Sequence, residues 1–437
     1  MKGYEGMKGN AALVNSGDHY RIKRAMEKAV RGEDLCIAFL GGSITEGYSS
    51  SRHENCYAAR IFSWWEKSFP GSSMRYVNAG IGGTGSDYGA ARAQRDVLSE
   101  KPDVVFVDFS VNDAADEYCQ ECYEGLLRKL LRSESAPAVV LIHFIKYDDA
   151  STAEEQHLAL GKRYGLPCLS IRSSLYALIR SGEIEAESIT ADGLHPNDEG
   201  HRRIAEYVNA FLEEVKKEEE GGTETEMPAA LTANAWEDAE LWQNGNSAPE
   251  LRGFKADKKE KEYPSDHFRG GWTGRKAGDE ILFRFRGSEL AVQFRRTVKR
   301  PAPLAAAILD GDESRPFILD ANFDYDWGDC LSTVCVMRHG QLLDAQTPER
   351  VSPIRYDERR DVLMAAKDAA AHTEEHTLLI RVLGDPDTLG WEKGLLSTGE
   401  TAWLKSENDS KEVSFDLLGI MVSAVSKDLD SDKGDNA

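Results

Sequence analysis

The sequence lacks the features of a membrane protein and of a secreted, disulfide-rich protein. No apolar run approaches the roughly 20 residues that a membrane-spanning helix needs, and residues 1–23 lack the apolar core of a secretory signal. The seven cysteines are odd in number and scattered, and the single C-x-x-C pair, Cys119 and Cys122, has no partner pair at zinc spacing. We therefore predict two half-exposed helical thiols and a reducing cytoplasm, although a chain trimmed of an export signal would show the same pattern.

Positive charge is also scarce. The 53 lysines and arginines face 75 aspartates and glutamates, which leaves a net charge of -22. A field of that sign repels phosphate backbones and anionic lipid surfaces, so nucleic acids and membranes are poor partners and neutral or cationic substrates are better ones. The 437 residues are enough for two or three domains, and a hydrophobic content of 41% can build sizeable cores.

The first two hundred residues alternate between short apolar runs and amphipathic stretches. The runs suit strands that are buried on both faces of a parallel sheet, and they cover residues 35–40, 75–77, 104–109, 139–144 and 167–171. Apolar residues at helical spacing lie between them, and a last amphipathic helix is expected over residues 201–217. This alternation predicts an α/β domain with a parallel sheet over residues 1–217.

The composition changes after residue 217. Residues 218–228 are charged and contain glycine and threonine, which is typical of a linker. Beyond them, short segments of alternating apolar residues are separated by turn signals such as Asp310-Gly311-Asp312. This pattern predicts an antiparallel β-sandwich or jelly-roll domain over residues 229–425. The polar residues 426–437 predict a disordered tail.

Two glycine-containing segments follow predicted strands and are suited to chemistry. In residues 41–45, small residues before Ser43 let the backbone turn sharply and expose the hydroxyl. A phosphate loop would require a lysine that this segment lacks, and an ordinary strand-to-helix turn is the plainer alternative. In residues 78–85, glycines can turn backbone N–H groups toward a developing oxyanion, or form a nucleotide-binding loop with imperfect spacing.

Two further segments carry polar side chains at the ends of the same domain's elements. Asn112, in residues 110–113, can present its amide to an oxyanion, although an ordinary Asn-Asp turn is the alternative. Asp192 precedes His195 by three positions in the loop before the last helix. Serine is a weak nucleophile without a base, and the base needs a fixed tautomer, so this pair can activate Ser43.

Together the four segments resemble the four sequence blocks of the SGNH/GDSL hydrolase superfamily. The matching stretches are GGSIT, NAGIGG, SVND and DGLHP, and they occur in this order within residues 34–212. The resemblance implies a catalytic triad and an oxyanion hole formed by two backbone N–H groups and one side-chain amide. The triad would be Ser43, Asp192 and His195, and the oxyanion donors would be Ser43, Gly83 and Asn112.

Some positions depart from the superfamily pattern or leave a choice. Gly42 stands where the GDS spelling has aspartate, a change that many bacterial carbohydrate esterases of the superfamily share. Ser110 stands where the third block has glycine. Gly82 is an alternative to Gly83 as the oxyanion donor.

The resemblance also implies a fold and a mechanism. The first domain would be a flavodoxin-like α/β/α sandwich with a five-stranded parallel sheet. It would transfer an acyl group to serine and then to water, with no metal or organic cofactor. The second domain is similar to jelly-roll modules that accompany esterases of acetylated plant polysaccharides. Its Trp272 and Trp327 lie in loops beside Gly or Asp and are predicted to stack on sugar rings or to pack the sandwich edge.

These features favour a carbohydrate O-acetylesterase that acts on acetylated oligosaccharides derived from xylan or mannan. A lipase or thioesterase of the same superfamily would need an apolar acyl groove, whereas residues 48–53 are mostly polar. A non-catalytic sugar-binding protein is the alternative from another class, and the intact Ser43, Asp192 and His195 disfavour it. A homo-oligomer is left open.

Overall fold

The apolar runs of the first two hundred residues are strands of one sheet in the computed structural model, which describes residues 10–219, 223–224, 226–261, 266–323, 328–343, 375–385 and 414–423. The strands are β1 (Leu13–Asn15), β2 (Leu35–Gly41), β3 (Met74–Gly80), β4 (Val104–Asp108), β5 (Ala138–His143) and β6 (Cys168–Ser170). They lie in the order β1-β6-β5-β4-β2-β3. Strands β2 to β6 are parallel to one another, in the order of a flavodoxin-like sheet, which confirms the predicted fold. The sheet also has an antiparallel edge strand, β1, whose three residues are too few to show a pattern in the sequence.

Eight α-helices accompany this sheet among the described residues. They are α1 (Tyr20–Val30), α2 (Ser43–Glu46), α3 (Tyr57–Ser68), α4 (Ser86–Asp96), α5 (Glu117–Arg132), α6 (Glu154–Arg163), α7 (Leu175–Arg180) and α8 (Asp198–Lys217). Helix α8 begins before the predicted residue 201 because the Asn197 side chain caps it by accepting the backbone N–H groups of Glu199 and Gly200. The apolar face predicted for α8 is buried against the sheet, with Ile204 and Val208 fully inside.

The segment 228–237 belongs to the first unit of the structure. The chain divides between Glu237 and Asp238, whereas the sequence prediction starts the second domain at residue 229. Trp236 is fully buried, and Glu124 of α5 accepts backbone hydrogen bonds of 2.7 Å and 2.7 Å from the segment. Arg128 of α5 donates to Glu237 at 2.7 Å, with both side chains buried. The segment therefore docks on α5, because this helix supplies charged partners for its polar groups.

The second unit, residues 238–437, is built from antiparallel strands. They are β7 (Glu240–Trp242), β8 (Glu250–Arg252), β9 (Lys255–Ala256), β10 (Trp272–Gly274), β11 (Glu280–Arg286), β12 (Glu289–Arg296), β13 (Leu304–Leu309), β14 (Phe317–Asp320), β15 (Cys330–Arg338), β16 (Gln341–Leu342), β17 (Glu375–Gly384) and β18 (Phe415–Ser423). One sheet has the order β16-β15-β12-β18-β10-β9, with β7 beside β18, and the other has the order β14-β13-β17-β11-β8. The apolar faces of both sheets form one core, which confirms the predicted β-sandwich.

Two predictions about single residues need correction. Trp272 is 2% exposed and packs edge-on against Phe283 at a ring-centroid distance of 5.3 Å, so it fills the sandwich core and has no face for a sugar. Cys119 and Cys122 are buried in α5. Trp327 and the tail 426–437 lie outside the described residues. Across the described residues, no helix combines the length and the apolar character that crossing a membrane requires.

Candidate active site

Ser43 lies at the carboxyl end of β2, where the sheet gives way to the single-turn helix α2. The four sequence segments meet at this edge because parallel strands end on the same side of the sheet. The Ser43 Oγ is 2.9 Å from the His195 Nε2, and the His195 Nδ1 is 2.7 Å from the Asp192 Oδ2. The structure thus brings together the serine, histidine and aspartate that the sequence points to, in the order that a base-activated serine requires.

Asp192 fixes the imidazole in one orientation and one tautomer. Its Oδ1 accepts the backbone N–H of Leu194 at 3.0 Å and that of His195 at 2.7 Å. Partial burial opposes ionisation, yet the hydrogen bonds from the His195 side chain and backbone lower the pKa of Asp192 to about 2. The carboxylate is therefore charged at neutral pH and accepts a hydrogen bond from the Nδ1–H, which leaves the Nε2 lone pair directed at the Ser43 hydroxyl.

The loop after β3 brings two glycines beside the serine. A Cβ on Gly82 would lie 3.6 Å from the Ser43 Cβ. The Gly82 N–H donates to the Glu46 Oε2 at 2.9 Å and is therefore occupied. Within the described part of the chain, the Gly83 N–H meets no acceptor, and its left-handed φ of 69° is one that glycine adopts readily. This difference favours Gly83 over Gly82 as an oxyanion donor.

Asn112 follows β4 and lies against the residue before the serine. A Cβ on Gly42 would come within 2.4 Å of the Asn112 Oδ1, so the absence of a side chain at position 42 makes room for the amide. The Oδ1 is buried and has no hydrogen-bond partner among the described residues. The amide is therefore held with its oxygen against the backbone at Gly42, and its Nδ2 is the atom left to donate elsewhere.

Comparisons with known proteins decide the family. The pattern of the GDSL-like Lipase/Acylhydrolase family matches residues 39–203, which hold all four segments. A two-domain esterase active on acetylated mannans, crystallised with mannopentaose, is 37% identical, and the likeness covers 97% of this chain and 99% of that chain with a TM-score of 0.79. This chain belongs to the GDSL-like acylhydrolase family. It is an ester hydrolase.

Two more relatives of this GDSL-like hydrolase are similar to different extents. A second structure of a two-domain esterase active on acetylated mannans is 37% identical, with 96% of this chain and 100% of that chain covered and a TM-score of 0.80. An acetylxylan esterase of Xylanibacter ruminicola is 26% identical over 225 residues. That match covers 42% of this chain and 44% of the relative, so this chain spans less than half of that protein.

Two acidic residues of the hydrolase hold the oxyanion segments and were not assigned a role from the sequence. Glu46 lies one turn after the serine on α2, and its carboxylate accepts the hydrogen bond from the Gly82 N–H. Asp113 accepts the Ser86 N–H at 2.8 Å and lies 3.1 Å from the His157 Nε2, so it joins the second and third segments to α6. Burial raises the pKa of Asp113 to about 7. Both residues lie within three positions of an assigned site residue, and this closeness is the sequence signal that could have identified them.

Ser110, the departure in the third segment, has a structural explanation. Its hydroxyl donates to the Asp108 Oδ1 at 3.1 Å and accepts the Phe144 N–H at 2.7 Å. The hydroxyl therefore bridges the ends of β4 and β5 beneath the site. Of the predicted site residues, Trp272 lies in the core of the second unit.

Proposed function

We propose that this hydrolase removes O-acetyl groups from acetylated oligosaccharides of the mannan or xylan type through an acyl-enzyme on Ser43. The observation that supports the mechanism most directly is the continuous hydrogen-bonded series from Ser43 through His195 to Asp192. The substrate class is supported by the 37% identity to an esterase active on acetylated mannans over nearly the whole chain. The shorter match to an acetylxylan esterase supports xylan less strongly.

Acylation begins when the Ser43 Oγ attacks the acetyl carbonyl carbon and its proton moves to the His195 Nε2. The negative charge that develops on the carbonyl oxygen is stabilised by the N–H groups of Ser43 and Gly83 and by the Asn112 amide. The tetrahedral intermediate collapses when the imidazolium gives its proton to the sugar oxygen, which leaves as an alcohol. Asp192 stabilises the imidazolium throughout by accepting a hydrogen bond from its Nδ1–H.

Deacylation repeats the same steps with water as the nucleophile. Water gives a proton to the His195 Nε2 as it attacks the acetyl-serine, and the same donors hold the second oxyanion. Collapse breaks the bond between the acetyl carbon and the Ser43 Oγ, and the proton returns to that oxygen. Acetic acid is released and the serine is regenerated.

The direct test is a substrate panel for the purified protein and its Ser43→Ala variant. Acetylated mannooligosaccharides and xylooligosaccharides are followed by the mass loss of acetyl groups, and short-chain and long-chain nitrophenyl esters are followed by absorbance. We expect cleavage of acetylated sugars and of the short ester by the wild type alone. A preference for long acyl chains would favour a lipase, and sugar binding without ester cleavage would favour a non-catalytic protein.

The second unit, the compartment and the assembly state are further parts of the proposal. We propose that the β-sandwich raises affinity for sugar esters and performs no chemistry, with Trp327 as a candidate contact. The chain's seven cysteines are free thiols and six of them are buried, which supports the proposal that the enzyme acts in a reducing cytoplasm. Cell fractionation tests the compartment, and light scattering tests whether the enzyme forms a homo-oligomer.

A further inference from the structure

One aromatic side chain is exposed against the catalytic base. Among the described residues, the strongly exposed large apolar side chains are Val30, Tyr48, Leu231 and Leu251, and Tyr48 is the aromatic one, with 59% of its surface exposed. Its ring centroid lies 4.5 Å from that of His195, at an interplanar angle of 54°. The exposed ring of Tyr48 therefore lies directly beside the catalytic base.

The backbone of Tyr48 is fixed from two sides. Its N–H donates to the Ser43 carbonyl at 3.0 Å, and its carbonyl lies 3.3 Å from the His201 Nε2. The other ring nitrogen of His201 accepts the Tyr57 N–H at 3.3 Å, so the Nε2 carries the proton and donates to Tyr48. Burial lowers the pKa of His201 to about 4, so this arrangement is retained at neutral pH.

The loop that continues from Tyr48 is tied to the start of α8. The Asp198 Oδ1 accepts the Ser51 N–H at 2.8 Å, and the Oδ2 accepts the Ser51 hydroxyl at 2.5 Å and the Asn55 amide at 3.0 Å. The helix α8 follows the segment that carries the aspartate and histidine of the triad. The aromatic ring is therefore preorganised relative to the base, which lowers the entropic cost of a stacking contact.

The chemistry of acyl transfer places the leaving alcohol beside this ring. The alcohol oxygen takes its proton from the His195 Nε2, so it must come within about 2.6–3.2 Å of that nitrogen. The acetyl methyl group, in contrast, lies on the side of Ser43 and the oxyanion donors. Because Tyr48 packs against the imidazole itself, it borders the alcohol part of the ester rather than the acyl part.

We propose that Tyr48 forms the subsite for the sugar ring that carries the acetyl group, with its aromatic face against the C–H face of the pyranose. This assignment rests on the proposed function, since it requires a sugar as the leaving alcohol. It explains how an enzyme of this family selects by the alcohol while the acyl group stays small. Aromatic side chains supply a large apolar area at low entropic cost, which suits them to a rigid sugar ring.

The test compares an ester whose alcohol is a sugar with one whose alcohol has no ring. The two substrates are an acetylated mannooligosaccharide and ethyl acetate. A nitrophenyl ester is avoided because its aromatic leaving group would itself stack on Tyr48. For Tyr48→Ala, the ratio of kcat/KM on the sugar ester to that on ethyl acetate should fall about tenfold, mainly through a higher KM for the sugar ester. Tyr48→Phe should keep the wild-type ratio, and Tyr48→Leu should lose most of it.

A control variant and a direct binding measurement complete the test of the subsite. Val30→Ala removes another exposed apolar side chain, on α1, and should keep the wild-type ratio. In the Ser43→Ala background, Tyr48→Ala should weaken binding of the acetylated oligosaccharide about tenfold by titration calorimetry. Equal losses on both esters, or no loss on either, would overturn the subsite while leaving the proposed function intact. A wild type that cleaves ethyl acetate and no sugar ester would overturn the proposed function, and the subsite with it.

Discussion

Substitution of Gly42 by alanine is a sharp test of the oxyanion hole. The new Cβ would lie 2.4 Å from the Asn112 Oδ1, whereas its next contact outside that side chain, the Thr84 carbonyl oxygen, is at an ordinary 3.7 Å. The backbone at Gly42, with φ of -89° and ψ of -151°, is extended and open to alanine. The substitution therefore acts on the Asn112 amide alone. That amide must retreat by about 1 Å, the gap between 2.4 Å and the 3.4 Å at which ordinary contact begins.

The size of the effect follows from that displacement. A misplacement of about 1 Å in catalytic geometry costs about 100-fold in rate. Removal of one oxyanion donor costs about 100- to 1,000-fold in kcat. We therefore expect Gly42→Ala to lower kcat on an acetate ester about 100-fold, with KM changed little because the donor acts mainly on the oxyanion. Asn112→Ala should lower kcat by at least as much.

The double variant decides whether the two changes act through the same atom. Once Asn112 is alanine, there is no amide for the Gly42→Ala methyl group to displace, so the double variant should match Asn112→Ala within about twofold. Gly71→Ala, at a glycine with nothing within 4 Å of the added Cβ, controls for a generic loss at glycine and should keep wild-type kcat. Multiplied losses in the double variant, or a wild-type rate for Gly42→Ala, would refute the role of Asn112.

Three further outcomes follow from the triad and the docked segment 228–237. Ser43→Ala should abolish ester cleavage with an unchanged melting temperature, and more than a few per cent of residual rate would point to another nucleophile. His195→Ala should be nearly as damaging and Asp192→Asn milder; an active His195→Ala variant would contradict this assignment. Truncation after Glu237 should keep cleavage of ethyl acetate but lose efficiency on acetylated oligosaccharides. Truncation after Pro228 should also lower the melting temperature, because it removes the buried Trp236 and also Glu237, the buried ion-pair partner of Arg128. Equal activity losses on both esters after truncation at Glu237 would assign the second unit a purely stabilising role.

The parallel sheet was predictable from the sequence because it rests on local pattern, whereas the approach of Ser43, Asp192 and His195 was expected from the resemblance of four short segments to one superfamily. A strand buried on both faces is a continuous apolar run, and a parallel sheet gathers the ends of such runs at one edge. The docking of segment 228–237 on the first unit was not predictable in this way, because the segment shows no clear helical or strand pattern. Its backbone N–H groups are satisfied by carboxylates of α5, including Glu124, whose placement depends on a helix a hundred residues earlier.

The aromatic residues show most clearly where local pattern stops being informative. Trp272 and Tyr48 both lie near glycine in short polar stretches, yet their exposures are 2% and 59%. Trp272 is buried because β10 pairs with β18, which makes Leu417 the cross-strand neighbour of Trp272. Tyr48 is exposed because its loop is held by contacts to α8, a helix about 150 residues later in the chain. Strand ends are a local feature of the sequence, whereas the position of Tyr48 depends on long-range contacts. Under the proposed subsite, substitutions at Tyr48 should alter the choice of alcohol without disturbing the triad.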